Sequence, residues 1–88
     1  MVETRKIAEV KKEVGQLMKL LRKRQKLTQT KLADRIDVSR NTIKNLESGK
    51  NFTIDTLLIA LKEFDMLDVV YQEVLKHKQD IIETKSLY

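Results

Sequence analysis

Apolar side chains recur along the first part of the chain at intervals of three and four residues, with charged positions between them. They fall at Ile7, Val10, Val14, Leu17 and Leu21. This spacing places them on one face of an amphipathic helix. A glycine at position 15 costs such a helix up to about 1 kcal/mol relative to alanine, which allows a break there. A break would separate an N-terminal extension helix, residues 1–13, from the first helix of the domain.

Three shorter apolar groups follow, each introduced by a hydroxyl side chain. Thr28, Ser39 and Thr53 are predicted N-caps, whose oxygens accept hydrogen bonds from the free amides of the next turn. Gly49 ends the helix between the second and third caps, because glycine adopts the left-handed conformation without a steric penalty. The faces expected to be buried contain Leu32, Ala33, Ile36, Ile43, Leu46, Ile54, Leu57, Leu58, Leu61 and Phe64.

A fifth helix is predicted from Leu67 through Leu75. Beyond it lies a polar tail, 76–88, with apolar residues only at Ile81-Ile82 and Leu87-Tyr88. Proline is absent and glycine occurs twice, so the turn markers of a β-rich fold are missing. The predicted fold class is therefore all-α.

Composition excludes several classes of function. The chain has 88 residues, enough for one small domain, and contains no cysteine and one histidine, His77. Disulfides, thiolate zinc sites and paired-histidine metal sites are excluded, and no nucleophile–base pair points to an enzyme. We expect no cofactor, no metal, no membrane association and no small-molecule ligand, since so small a chain should not form a pocket of even about 300 Å³. The first residues lack an apolar signal core, so a cytoplasmic location is expected.

Charge is unevenly distributed. Residues 1–50 hold 14 basic and 6 acidic side chains, whereas residues 51–88 hold 4 and 7. A cationic half favours a polyanionic partner such as nucleic acid.

Two short predicted helices, 29–36 and 40–48, are joined by only three residues, which forces a steep crossing. On a wheel of 100° per residue with Ile43 at zero, Leu46 lies at about 300° and faces the core. The opposite, outward face carries Arg40, Asn41, Lys44 and Asn45. Arginine and asparagine can form paired hydrogen bonds with guanine and adenine in the major groove.

The order of residues in this region resembles the Cro/phage-repressor-type helix-turn-helix family, also called XRE-like. The resemblance runs over about 14–66 and rests on Leu21-Arg22, Leu27-Thr28-Gln29, Leu32-Ala33, Val38-Ser39-Arg40, Ile43, Leu46-Glu47-Ser48-Gly49-Lys50 and Thr53-Ile54-Asp55-Thr56-Leu57-Leu58. It implies a lambda-repressor-like five-helix domain, 14–75, that binds double-stranded DNA. The chain departs from the family at Lys26 and Asp37, where glycine is common, and at Lys31, where an acidic residue often completes a capping box. Asp37 tolerates the left-handed conformation, whereas Lys26 predicts a differently built first turn.

Position and resemblance together assign the site. We expect Arg40, Asn41, Lys44 and Asn45 to read bases, and Glu47 to form a structural pair with Arg22. Gln29 is expected both to hold a phosphate and to brace the recognition helix. The residues expected to contact phosphates are Arg22, Thr28, Gln29, Ser39, Thr42, Lys50, Asn51 and Thr53.

The resulting hypothesis is a transcriptional regulator, a repressor acting as a homodimer on a palindromic operator and associated with the nucleoid. Its dimer interface is expected within 64–75, where Phe64, Leu67, Val70, Tyr71 and Leu75 exceed the needs of one core, or along the stripe Ile7–Val10–Val14. The alternative is an antitoxin that also binds a toxin partner. It rests on 53–58 with 64–68, which look like the antitoxins of HipA-type kinase toxins.

Overall fold

A computed structural model describes residues 6–86 of the chain, without the side chains of the last two. These residues form five helices and no strand: α1 (Ile7–Arg24), α2 (Gln29–Arg35), α3 (Arg40–Glu47), α4 (Ile54–Glu63) and α5 (Leu67–Ser86). The predicted all-α class is confirmed. The expectations for residues 1–5 and for Leu87-Tyr88 lie outside the described residues.

Each of the three predicted N-caps is present. The hydroxyl oxygens of Thr28 and Ser39 accept hydrogen bonds of 3.0 Å from the backbone amides three residues later. Thr53 does the same at 3.1 Å. These bonds start α2, α3 and α4 at the residues that the sequence indicated.

Helices α1 to α4 all end in the same way. The second residue after each helix takes a left-handed φ: 57° at Lys26, 57° at Asp37, 72° at Gly49 and 59° at Asp65. The next amide then donates to the carbonyl five residues back, as in the Schellman motif. These bonds join Leu27 to Arg22, Val38 to Ala33, Lys50 to Asn45 and Met66 to Leu61, at 2.8–3.1 Å. The expectation of a differently built turn at Lys26 is wrong, because Lys26 takes the conformation that glycine would take.

Helix α1 runs through Gly15 without a break, so the N-terminal extension is not a separate helix. Its buried face is also displaced from the predicted stripe. Ile7, Val10 and Leu17 are exposed by 79%, 53% and 40%, whereas Met18 is fully buried. The reason is the end of α3, which packs on Gly15: a Cβ there would lie 2.6 Å from the carbonyl oxygens of Leu46 and Glu47.

The core lies where α1, α2 and α3 meet and continues under α4. Its largest fully buried side chains are Met18, Leu32, Ile43 and Leu46. In the second half of the chain, the prediction that Ile54 is buried is wrong, because its side chain is 69% exposed. Phe64 is buried in the core, as predicted for the face of α4, so its predicted place in a dimer interface is wrong.

Helix α5 continues through the predicted tail to Ser86. No glycine or proline interrupts this stretch. Contacts along its surface join residues one turn apart: His77 Nε2 lies 3.5 Å from Glu73 Oε2, and Thr84 Oγ1 donates to the Asp80 carbonyl at 2.8 Å. The expected boundaries at residues 13 and 75 therefore fall inside α1 and α5.

An open apolar groove of about 620 Å³ separates α4 from the start of α5. It is lined by Leu58, Lys62, Asp65, Leu67, Asp68, Val70, Tyr71 and Val74. So small a chain was expected to form no pocket of even about 300 Å³. That expectation is wrong, although the groove opens to solvent. Among the described helices, none has the length and apolarity needed to cross a membrane.

Candidate nucleic-acid interface

Helix α3 presents one apolar and one polar face. Ile43 and Leu46 are fully buried against α1 and α2. Arg40, Asn41 and Lys44 are exposed, and Asn45 is half-buried at the edge of the same outward face. The structure thus brings the four residues expected to read bases together on one side of an eight-residue helix.

A buried ion pair fixes the end of α3. Arg22 Nε and Nη2 donate to the two carboxylate oxygens of Glu47, at 2.5 and 2.9 Å, in a bidentate arrangement. Arg22 Nη1 also donates to the Leu27 carbonyl at 2.7 Å. Gln29 Nε2 donates to Glu47 Oε1 at 3.1 Å. Glu47 therefore ties α1 and the start of α2 to α3.

The hydrogen bond to Glu47 raises the pKa of the Arg22 guanidinium, and burial opposes this effect. Its side chain is only 9% exposed. This burial favours the structural role of Arg22 over a contact with phosphate.

The other residues expected to contact phosphates lie at the ends of the helices. Thr28, Ser39, Lys50, Asn51 and Thr53 are exposed, while Gln29 and Thr42 are half-buried. Several of their hydroxyls already form hydrogen bonds within the protein. The Ser39 and Thr42 oxygens are 2.8 Å apart, and the Thr53 and Thr56 oxygens are 3.1 Å apart. Each of these hydroxyls also has lone pairs or a proton left for a further partner.

The contacts between α1 and the segment after α3 were not predicted from the sequence. A Cβ at Gly49 would lie 2.9 Å from the Cα and N atoms of Lys12. Lys11 Nζ lies 5.5 Å from the centroid of the Phe52 ring. The signal available in the sequence was the pair of glycines, which mark two places where backbones approach closely.

No group of three or more acidic, histidine or cysteine side chains within the described part of the chain could hold a metal ion. The side chain of His77 is 72% exposed on α5.

Comparison with known proteins agrees with this geometry. A family model described as Helix-turn-helix matches residues 18–71, which include α2, α3 and α4 in full. No curated protein matches the chain.

Proposed function

We propose that this chain, which belongs to the Cro/phage-repressor-type helix-turn-helix family of DNA-binding transcription regulators, is a repressor that binds a palindromic operator as a homodimer. Helix α3 enters the major groove and reads bases with Arg40, Asn41, Lys44 and Asn45. A regulator of this kind acts on the chromosome and is associated with the nucleoid.

The outward face of α3 is the observation that supports the proposal. Its side chains project from a helix whose other face is fully buried and whose end is fixed by the Arg22–Glu47 pair. A rigid mounting matters because base recognition requires paired hydrogen bonds of defined geometry. Thr28 and Gln29 at one end, and Lys50, Asn51 and Thr53 at the other, then contact phosphates and set the orientation of α3.

The groove between α4 and α5 supports the homodimer. Tyr71 and Val74 on its wall are 60% and 62% exposed, which leaves apolar surface uncovered in the single chain. Lys62 lies on the same surface as Asp65 and Asp68, so a two-fold axis can pair opposite charges. Two copies place two α3 helices about one turn of DNA apart. The stripe Ile7–Val10–Val14 is the alternative interface.

Selection of bound sites from random duplex DNA tests the proposal. We expect a near-palindromic consensus bound at about 10⁻⁸–10⁻¹¹ M near physiological salt. Arg40→Ala, Asn41→Ala and Asn45→Ala should each cost about 1–3 kcal/mol and relax the preference at particular base pairs. Gln72→Ala, which removes an exposed side-chain amide from α5, is the control and should leave the consensus unchanged.

Two results would contradict this reading. An unchanged consensus after removal of both Asn41 and Asn45 would show that α3 does not read bases through this face. Light scattering that finds a monomer, both free and on DNA, would exclude the homodimer.

A second candidate function is that of an antitoxin. It is favoured by the last part of α5, where Ile81 and Ile82 are 62% and 49% exposed on a helix that continues beyond the core.

Deleting 77–88 should then leave operator binding nearly unchanged and weaken capture of the toxin. Pull-down from the native host with both forms tests this, and recovery of no partner by either form favours the simple repressor. A toxin-sized reading frame in the same operon would favour the antitoxin.

A further inference from the structure

The N-terminal half of α1 carries basic side chains that are not among the proposed DNA contacts. We infer that Lys11 and Lys12 form an additional phosphate-binding patch, which extends the DNA contact beyond the loop that follows α3. This inference rests on the proposed function and adds a second segment of the chain to the same interface.

The backbone of α1 touches the segment that follows the recognition helix. A Cβ at Gly49 would lie 2.9 Å from the Cα and N atoms of Lys12 and 3.0 Å from the carbonyl carbon of Lys11. The next residue after Gly49 is Lys50, which is exposed, as is Lys12. Lys12 thus stands beside the group of residues expected to hold the flank of the major groove.

A second contact holds Lys11 at the same place. Its Nζ lies 5.5 Å from the centroid of the Phe52 ring, and its side chain is half-buried there. Phe52 lies between Asn51 and Thr53, both exposed and both assigned to phosphates. The aromatic ring directs the lysine stem along this segment while the ammonium keeps donors for another partner.

The acidic residues of this part of α1 border Lys12 on the side away from Lys11, and Glu9, Lys12 and Glu13 line one groove. On a wheel of 100° per residue with Met18 at zero, Lys11 and Lys12 fall at about 20° and 120°. Glu9 and Glu13 fall at about 180° and 220°, beyond Lys12 and away from the segment after α3. The positive charge that continues from Lys50 onto α1 is therefore that of Lys11 and of the near side of Lys12, and it suits the phosphates of a DNA backbone.

The continuity of α1 makes this patch rigid. Because the helix does not break at Gly15, the two turns before it are held by the packing of Gly15 against α3. Lys11 and Lys12 are thus fixed relative to the recognition helix, and their contacts should fall at a defined position, at the outer edge of each half-site.

The test compares Lys12→Gln and the double variant Lys11→Gln/Lys12→Gln with Lys76→Gln. Lys76 is an exposed lysine on α5, so the control for Lys12→Gln removes one positive charge from a different helix. The probes are the selected operator and a random-sequence duplex of equal length, and affinity is measured over a range of salt concentrations. Circular dichroism checks that each variant is folded.

We expect the slope of log affinity against log salt to become less steep by about 0.9 for each lost phosphate contact, on both duplexes alike. Lys76→Gln should leave the slope unchanged. Hydroxyl-radical footprints of the double variant should lose protection at the outer edge of each half-site and keep the rest.

The two proposals fail in different ways. If the wild-type protein binds the operator and the double variant shows the same slope and footprint, the patch on α1 is excluded and the DNA-binding function stands. If the wild-type protein binds neither duplex, the proposed function itself fails.

Discussion

Lys26, Asp37 and Asp65 take a backbone conformation that side chains with a Cβ adopt at a cost. Their φ values of 57–59° lie in the left-handed region, where an L-residue loses about 1–2 kcal/mol relative to the right-handed one. Aspartate offsets part of this cost through hydrogen bonds with nearby backbone groups, and lysine does not. Of these three residues, Lys26 therefore carries the largest uncompensated backbone strain.

Lys26→Gly should raise the free energy of unfolding by about 0.5–1 kcal/mol, because the strain exceeds the additional chain entropy that glycine brings. Urea denaturation measures the change. Lys23→Gly is the matched control, since Lys23 is exposed inside α1 and should lose about 1 kcal/mol on the same substitution. An equal loss of stability from both substitutions would contradict the inference that the backbone at Lys26 is strained.

Gly15→Ala should destabilise the protein, although alanine is the better helix former. The new Cβ would lie 2.6 Å from two backbone carbonyl oxygens of α3, so α3 must move away from α1. Overpacking of this kind costs about 1–3 kcal/mol. Thermal unfolding measures the stability, and operator binding should weaken in parallel because α3 is displaced. A higher melting temperature would show that the helices can separate freely.

Among the elements, α3 is held by its buried apolar face and also by one carboxylate that bonds to two other helices. Glu47 accepts hydrogen bonds from Arg22 and Gln29, and so joins α3 to α1 and α2. Glu47→Ala should cost about 3–5 kcal/mol, because it leaves the Arg22 guanidinium buried without its partner. The double variant Arg22→Met/Glu47→Leu should recover much of this loss, since apolar side chains replace the pair. Urea denaturation measures the free energy of unfolding of both variants. A double variant as unstable as Glu47→Ala would show that the loss comes from packing and not from the unpaired guanidinium.

The beginnings and ends of the elements follow largely from local chemistry. Thr28, Ser39 and Thr53 were predicted as caps because a hydroxyl just before an apolar period can accept a hydrogen bond from the free amides of the next turn. The buried face of α1 was predicted only in part: Leu21 is buried, whereas Leu17 of the same stripe is 40% exposed, because α3 approaches the helix at Gly15. Which apolar side chains of a helix are buried thus depends on contacts with other helices, and the spacing of apolar residues in the sequence does not reveal those contacts.

For the whole molecule, the proposed homodimer rests on the groove between α4 and α5. Val74→Asp places a charge on its apolar wall and should convert the dimer to a monomer, with loss of binding to the full operator. Val69→Asp is the control: Val69 is 55% exposed on α5 and does not line the groove, so the dimer should persist. Light scattering and operator binding measure both. Dissociation by Val69→Asp alone would exclude this interface.

The polar face of α3 could be predicted from sequence because helix geometry fixes which residues share a side. The length of α5 could not, since exposed charged residues fit a solvated helix and a coil equally well. The patch at Lys11 and Lys12 also escaped prediction, because it depends on two segments that are distant in sequence and meet at Gly49.

The Schellman motifs that end four successive helices have a consequence for folding kinetics. All four junctions carry a stop signal, and the first three also carry an N-cap that starts the next helix. The main helix contacts join neighbours along the chain, apart from the contact of α1 with α3, which skips one helix. Little loop-closure entropy then opposes assembly, and domains of this topology fold within about microseconds to milliseconds. A newly synthesised copy therefore reaches its native form almost as soon as it is complete, so its concentration follows its rate of synthesis without a folding delay.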